Sequence, residues 1–140
     1  MHVVPDALGQ YTLVDPRPSS NCAYRFVYSG AGNHLGWTVS RIPIKLLPAL
    51  AVKPNHASQK LGKTFTITAV SSPAQKGSDI QLQVLSGKTW KTVSHAKYGS
   101  KSATFAYKPK SKGTVTYRVY QPATKTVGST TSPAMKLKVT

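Results

Sequence analysis

The sequence contains no glutamate. Its only acids are Asp6, Asp15 and Asp79, set against 19 lysines and arginines for a formal charge of +16. Three isolated aspartates cannot supply the several carboxylates of a calcium site. Nor can they supply two carboxylates facing one bond, as glycoside hydrolysis requires. The single cysteine, Cys22, can make no internal disulfide. With no histidine near it in sequence, it has no support as a nucleophile. His2, His34, His56 and His95 show no i, i+2 or i, i+4 pairing, so zinc-ligand spacing is missing. Glycine-rich phosphate loops and G-x-S-x-G motifs are absent. The longest apolar run, "IPIKLLPALAV" (42–52), carries Lys45 and two prolines and is too short to span a bilayer. The opening "MHVVPDALGQ" shows no secretion signal, because no long apolar stretch follows a basic start. The expectation is a non-enzymatic chain without metal or cofactor.

What is present is basic and patterned. An excess of cations attracts nucleic acid, anionic lipid or acidic wall polymers; the plainer alternative is a lysine-coated soluble surface. The lysines spread through residues 45–138 rather than forming a run, which suits solvated strand faces. From residue 49 onward apolar and polar residues alternate with period two, the pattern of antiparallel strands with one buried face. "FTITAV" (65–70) alternates Phe65, Ile67 and Ala69, and "DIQLQVL" (79–85) alternates Ile80, Leu82 and Val84. "SGK" (86–88) turns the chain into "TWKTVSH" (89–95), which predicts a hairpin. "SATFAYKP" (102–109), "TVTYRVYQ" (114–121) and "AMKLKVT" (134–140) follow. Their inward sets are Phe105 and Tyr107, then Val115, Tyr117 and Val119, then Met135, Leu137 and Val139. With "ALAVKP" (49–54), this makes about seven short strands separated by turn signals. The profile predicts an all-β fold, an immunoglobulin-like antiparallel β-sandwich.

The chain also repeats itself. Moved along by about 93 residues, 9–47 fall on 102–140. "YTLVDPRP" (11–18) meets "TFAYKPKS" (104–111), and Tyr24-Arg25-Phe26 meets Tyr117-Arg118-Val119. Ile42, Ile44 and Leu46 take the inward places of Met135, Leu137 and Val139. Gly36, Thr38 and Ser40 match Gly128, Thr130 and Ser132 with a slip of one, which makes Ser129 the counterpart of Trp37. Fixed-period self-similarity marks a repeat array. Residues 1–47 therefore read as the last three strands of a preceding module and 48–140 as a complete one, divided near Pro48. Half a sandwich leaves apolar side chains uncovered, each worth about 1.5–3 kcal/mol on burial. The chain is accordingly expected to be the C-terminal piece of a longer array, with strand exchange between two copies as the alternative.

The stretches "KGSDIQLQVLSGKTWKTVSHA", "KPKSKGTVTYRVYQPAT" and "GSTTSPAMKLKV" resemble the immunoglobulin-like modules repeated in bacterial secreted and surface proteins. In that group a G-x-x-(I/V)-x-L-Q strand precedes a G-x-W-x-T-V strand, and a Y-R-(V/F) strand leads to a G-x-T-S turn. The resemblance spans about residues 49–140, and 9–47 in part. It implies an extracellular or cell-surface module acting as spacer, stalk or adhesive unit, next to further modules of the same chain.

Candidate contacts follow from exposed aromatic and basic residues. Trp90 is expected to pack across its hairpin or to stack on a sugar flanked by Lys88 and Lys91. Trp37 is expected on an exposed turn near His34. Lys97, Lys101, Lys108, Lys110 and Lys112, with Tyr98 and Tyr107 among them, could grip anionic wall polymers or glycans, or single-stranded nucleic acid. The nucleic-acid reading lacks a recognised motif. Cys22 aligns with Val115 and reads as a small buried hydrophobe. Tyr117, the counterpart of Tyr24, reads as a tyrosine pinning a corner of the sandwich. A rival to the spacer is a carbohydrate-binding accessory module of a secreted enzyme.

Overall fold

The alternating stretches form the strands they predict. The structure, a computed structural model, describes residues 20–140 together with Ala7. The "YTLVDPRP" strand expected at 11–18, Asp6, Asp15 and His2 lie outside the described residues. A three-stranded antiparallel sheet joins β3 (Ala49–Pro54), β5 (Phe65–Ser72) and β8 (Ala103–Tyr107) in the order β3-β5-β8. A larger sheet runs β4 (Ser58–Gln59), β11 (Met135–Val139), β9 (Gly113–Gln121), β6 (Asp79–Ser86), β7 (Thr89–Lys97), with β10 (Thr130–Thr131) also on β9. Two short strands escaped the alternation, because two residues show no period: β4, which pairs parallel with β11, and β10.

The two sheets pack face to face as a β-sandwich. Phe65, Ile67 and Ala69 on one side meet Ile80, Leu82, Tyr117, Val119 and Leu137 on the other, all buried. Phe65 stands edge-on to Tyr117, with ring centroids 5.7 Å apart and planes at 74°, the preferred geometry for aromatic pairs. Burial pushes the phenol pKa of Tyr117 upward, and that of Tyr107 likewise. The hydroxyl that pins a corner belongs to Tyr98. It accepts from Ser71 N (3.0 Å) and donates to the Lys101 carbonyl (2.7 Å), whereas Tyr117 contributes its ring.

Gln121 breaks the apolar pattern on the inward face of β9. It is fully buried, and neither amide atom has a hydrogen-bond partner among the described residues. An unsatisfied buried polar group costs about 1–3 kcal/mol. Gln121→Met keeps the length and removes both orphan atoms, so it should raise stability by about that amount. Thermal unfolding checks this, and a lowered melting temperature would mean the amide is satisfied in solution.

Residues 22–44 form a separate two-stranded hairpin of β1 (Cys22–Tyr28) and β2 (Trp37–Ile44). Cys22 faces Ile44, Tyr24 faces Ile42, Phe26 faces Val39 and Tyr28 faces Trp37. In the sandwich Val115 faces Leu137, Tyr117 faces Met135 and Gln121 faces Thr130. The steps from Tyr24 to Tyr117 and from Ile42 to Met135 are both 93, and the other pairs keep the same step. Within the two loops Ala31 and His34, and at the same step Thr124 and Val127, are joined by one backbone bond of opposite direction: His34 N donates to the Ala31 carbonyl, and Thr124 N to the Val127 carbonyl. This pairing corrects the one-residue slip: Thr130, not Ser129, is the counterpart of Trp37, because both connecting loops, 29–36 and 122–129, have the same length.

The burial of the two equivalent faces differs. Tyr117 and Val119 are at most 2% exposed, whereas their counterparts Tyr24 and Phe26 are only half-buried; Leu137 is fully buried, whereas its counterpart Ile44 is 38% exposed. Among the described residues no second sheet covers the hairpin. The hairpin base is seated on the 122–129 loop. Asn21 N donates to the Thr126 carbonyl, Asn21 Oδ1 accepts from Leu46 N (2.8 Å), and Gly128 N donates to the Leu46 carbonyl (2.7 Å). A Cβ on Gly128 would meet the ends of the exposed Leu47 and Lys45 side chains at 2.6 and 2.8 Å, and both would have to swing aside.

Candidate functional site

Alternation that sends Ile80, Leu82, Tyr117 and Val119 inward sends their neighbours outward. The outer face of the larger sheet thus carries Gln81, Gln83, Arg118 and Tyr120, with Trp90 and Thr92 on β7 and Lys136 and Lys138 on β11. Register sets Gln83 opposite Arg118 on one side and Thr92 on the other, and Gln81 opposite Tyr120. A bulge between Leu82 and Gln83 keeps Trp90 and Thr92 on this face.

The strip is internally ordered. Arg118 stacks over Trp90, its guanidinium carbon 4.3 Å from the ring centroid, a cation–π contact. Its Nε donates to Gln83 Oε1 at 2.9 Å. Gln83 Nε2 points to Thr92 Oγ1 (3.4 Å) and Gln81 Oε1 (3.5 Å), and the Thr92 hydroxyl donates to Gln81 Oε1 at 2.9 Å. At one end Asp79 pairs with His95 (2.9 Å) and, more loosely, with Lys97 (3.9 Å). Both pairs are solvent-exposed and add little stability.

The contacts expected from sequence are dispersed. Trp90 and Lys97 lie on this face, and Lys88 sits in the turn leading to β7. Lys91 alternates to the opposite side of β7. Tyr98 is 2% exposed and engaged by Ser71 and Lys101, so it contacts no partner. Tyr107 is half-buried against the core. Lys101 lies in the β7–β8 connection, and Lys110 and Lys112 lie in the β8–β9 connection. Lys108 reaches toward Gly62. The interleaved lysines and tyrosines are therefore not one surface, because the inward-facing rings are spent on the core. Trp37 is exposed, but it opens strand β2 opposite Tyr28 instead of lying on a turn, because the strand begins directly after Gly36. Cys22 is half-buried beside an open, mainly apolar cleft of about 610 Å³ lined by Asn21, Ala23, Pro43, Ile44 and Lys45. Sequence reading missed Arg118, Gln81, Gln83, Tyr120, Lys136 and Lys138, although the alternation that found the core marks them as its outward partners.

No group of three histidine, cysteine or acidic residues converges to hold a metal among the described residues. Among the same residues no helix is long and apolar enough to cross a membrane. The sequence matches no protein-family model and no curated protein significantly.

Proposed function

We propose that this chain is a stretch of a tandem array of immunoglobulin-like modules from a bacterial extracellular or surface protein. It serves as a non-catalytic spacer or adhesive unit drawn to anionic envelope polymers. The observation that carries this reading is the hairpin register, which reproduces the β9–β10–β11 register pair for pair at a step of 93. One unit written twice, with its loop seated on the unit before it, suits a stalk. The +16 charge supplies the attraction. The ordered strip around Arg118 also favours the second reading, a carbohydrate-binding accessory module. The test is retention of the full chain on purified bacterial walls with and without their anionic polymers. Retention that disappears with those polymers supports the reading, and equal binding to both walls overturns the electrostatic part.

A further inference from the structure

We propose that the outer face of the larger sheet holds a binding strip, centred on Arg118, for a carboxylate-bearing polysaccharide. The inference deepens the proposed function and rests on that reading, since it names the polymer class and the residues that grip it.

The polarity of the hydrogen-bond chain carries the argument. Arginine can only donate, so its bond to Gln83 Oε1 fixes which way that amide points. Gln83 Nε2 must then face Thr92 and Gln81, and Gln81 Oε1 takes the Thr92 hydroxyl. Each amide oxygen in the chain is thereby occupied within the strip. The groups left over are donors: the Arg118 Nη atoms and Gln81 Nε2, for which the described residues offer no acceptor. Around Arg118 the amide acceptors are used and the donors kept, which suits an acceptor, and a charged one best.

Arg118 is also held in place. Trp90 stacks beneath the guanidinium and Gln83 fixes Nε, so little side-chain freedom is lost when an anion docks. The planar fork matches a carboxylate bidentately. Asp79, the single acid among the described residues, is occupied by His95 and Lys97 and leaves Arg118 without a carboxylate partner. Lys136 and Lys138 extend the positive charge along the same face. Gln81 and Tyr120 lie side by side, offering amide and phenol groups for sugar hydroxyls. An open sheet face suits a polymer laid across it. The guanidinium already covers a face of Trp90, which disfavours base stacking on that ring.

The test uses the intact chain and polygalacturonate oligomers, titrated at fixed ionic strength. Arg118→Gln and Lys110→Gln each remove one positive charge, but only the first lies in the strip. Arg118→Gln should weaken binding about tenfold or more, as loss of a charged hydrogen bond implies, and Lys110→Gln by less than about twofold. Gln83→Leu keeps the charge and should also weaken binding, by about threefold or more. Thermal unfolding should place all three variants near the parent, as surface changes do. Equal losses for the two charge variants would overturn the strip while leaving general attraction to polyanions standing. Tighter Arg118-dependent binding of a single-stranded DNA oligomer would replace the polysaccharide with nucleic acid. No binding of polygalacturonate, polyphosphate or DNA would overturn both the strip and the electrostatic part of the proposed function.

Discussion

With residues 49–101 copied directly ahead of Gly9, the amides of β1 and β2 should exchange about a thousandfold more slowly. The copied segment supplies what 9–47 lack at a step of 93: the counterparts of β3, β5, β6 and β7, followed by the native hairpin. In the complete sandwich the face equivalent to Tyr24, Phe26 and Ile42 lies against Phe65 and Ile67. In the hairpin Trp37, Val39, Ile42 and Ile44 are all more than a third exposed. Burying a large apolar side chain gains about 1.5–3 kcal/mol, and a complete domain is stable by about 5 kcal/mol or more. Local opening of strand amides in such a domain approaches the global value, hence the thousandfold factor. The same chain should show a second cooperative transition on heating. Unchanged exchange in Cys22–Tyr28 would show that the repeated register does not encode a second sandwich, and would remove the main support for the array.

The second large effect is at the centre of the complete sandwich. Phe65→Ala should lower its stability by about 3–5 kcal/mol, the range for deleting a buried aromatic ring. Phe65 is fully buried and stands edge-on to Tyr117, so truncation removes transfer energy, leaves a cavity and dissolves the ring pair. For a domain of this size a loss of that order consumes much of the total stability. The control is Trp37→Ala, an exposed ring of similar bulk, expected to change the stability of the 49–140 sandwich by less than about 0.5 kcal/mol. Urea unfolding followed by Tyr and Trp fluorescence separates the two. Comparable losses would mean that the hairpin and the sandwich unfold as one unit, joined through the Asn21–Leu46–Gly128 contacts.

How far the strip could have been read from sequence depends on the residue. Arg118 and Tyr120 alternate with Tyr117 and Val119 in "TVTYRVY", and Gln81 and Gln83 with Ile80 and Leu82 in "DIQLQV". Each strand therefore declares which residues share its wet face. It does not declare that Arg118 lies opposite Gln83, 35 residues away, or that Trp90 lies beneath the guanidinium. Reading lysines by nearness in sequence instead grouped Lys91 with Trp90, which the strand turns to opposite sides, and included Tyr98, which is buried.

By itself the sequence determined the longer strands from residue 49 onward, their inward residues and a step of about 93, because period-two alternation and self-similarity are local or one-dimensional properties. Without a glutamate and with three aspartates, it also determined the sign of the chain's own charge. Only the tertiary structure decided the rest: β4 crossing to pair with β11, the one-to-one register that made Thr130 the counterpart of Trp37, and the donors left outward around Arg118. The physical reason is that strand pairing joins residues far apart in the chain. Which acceptors are consumed, and which donors remain for a ligand, is settled only once the strands lie side by side.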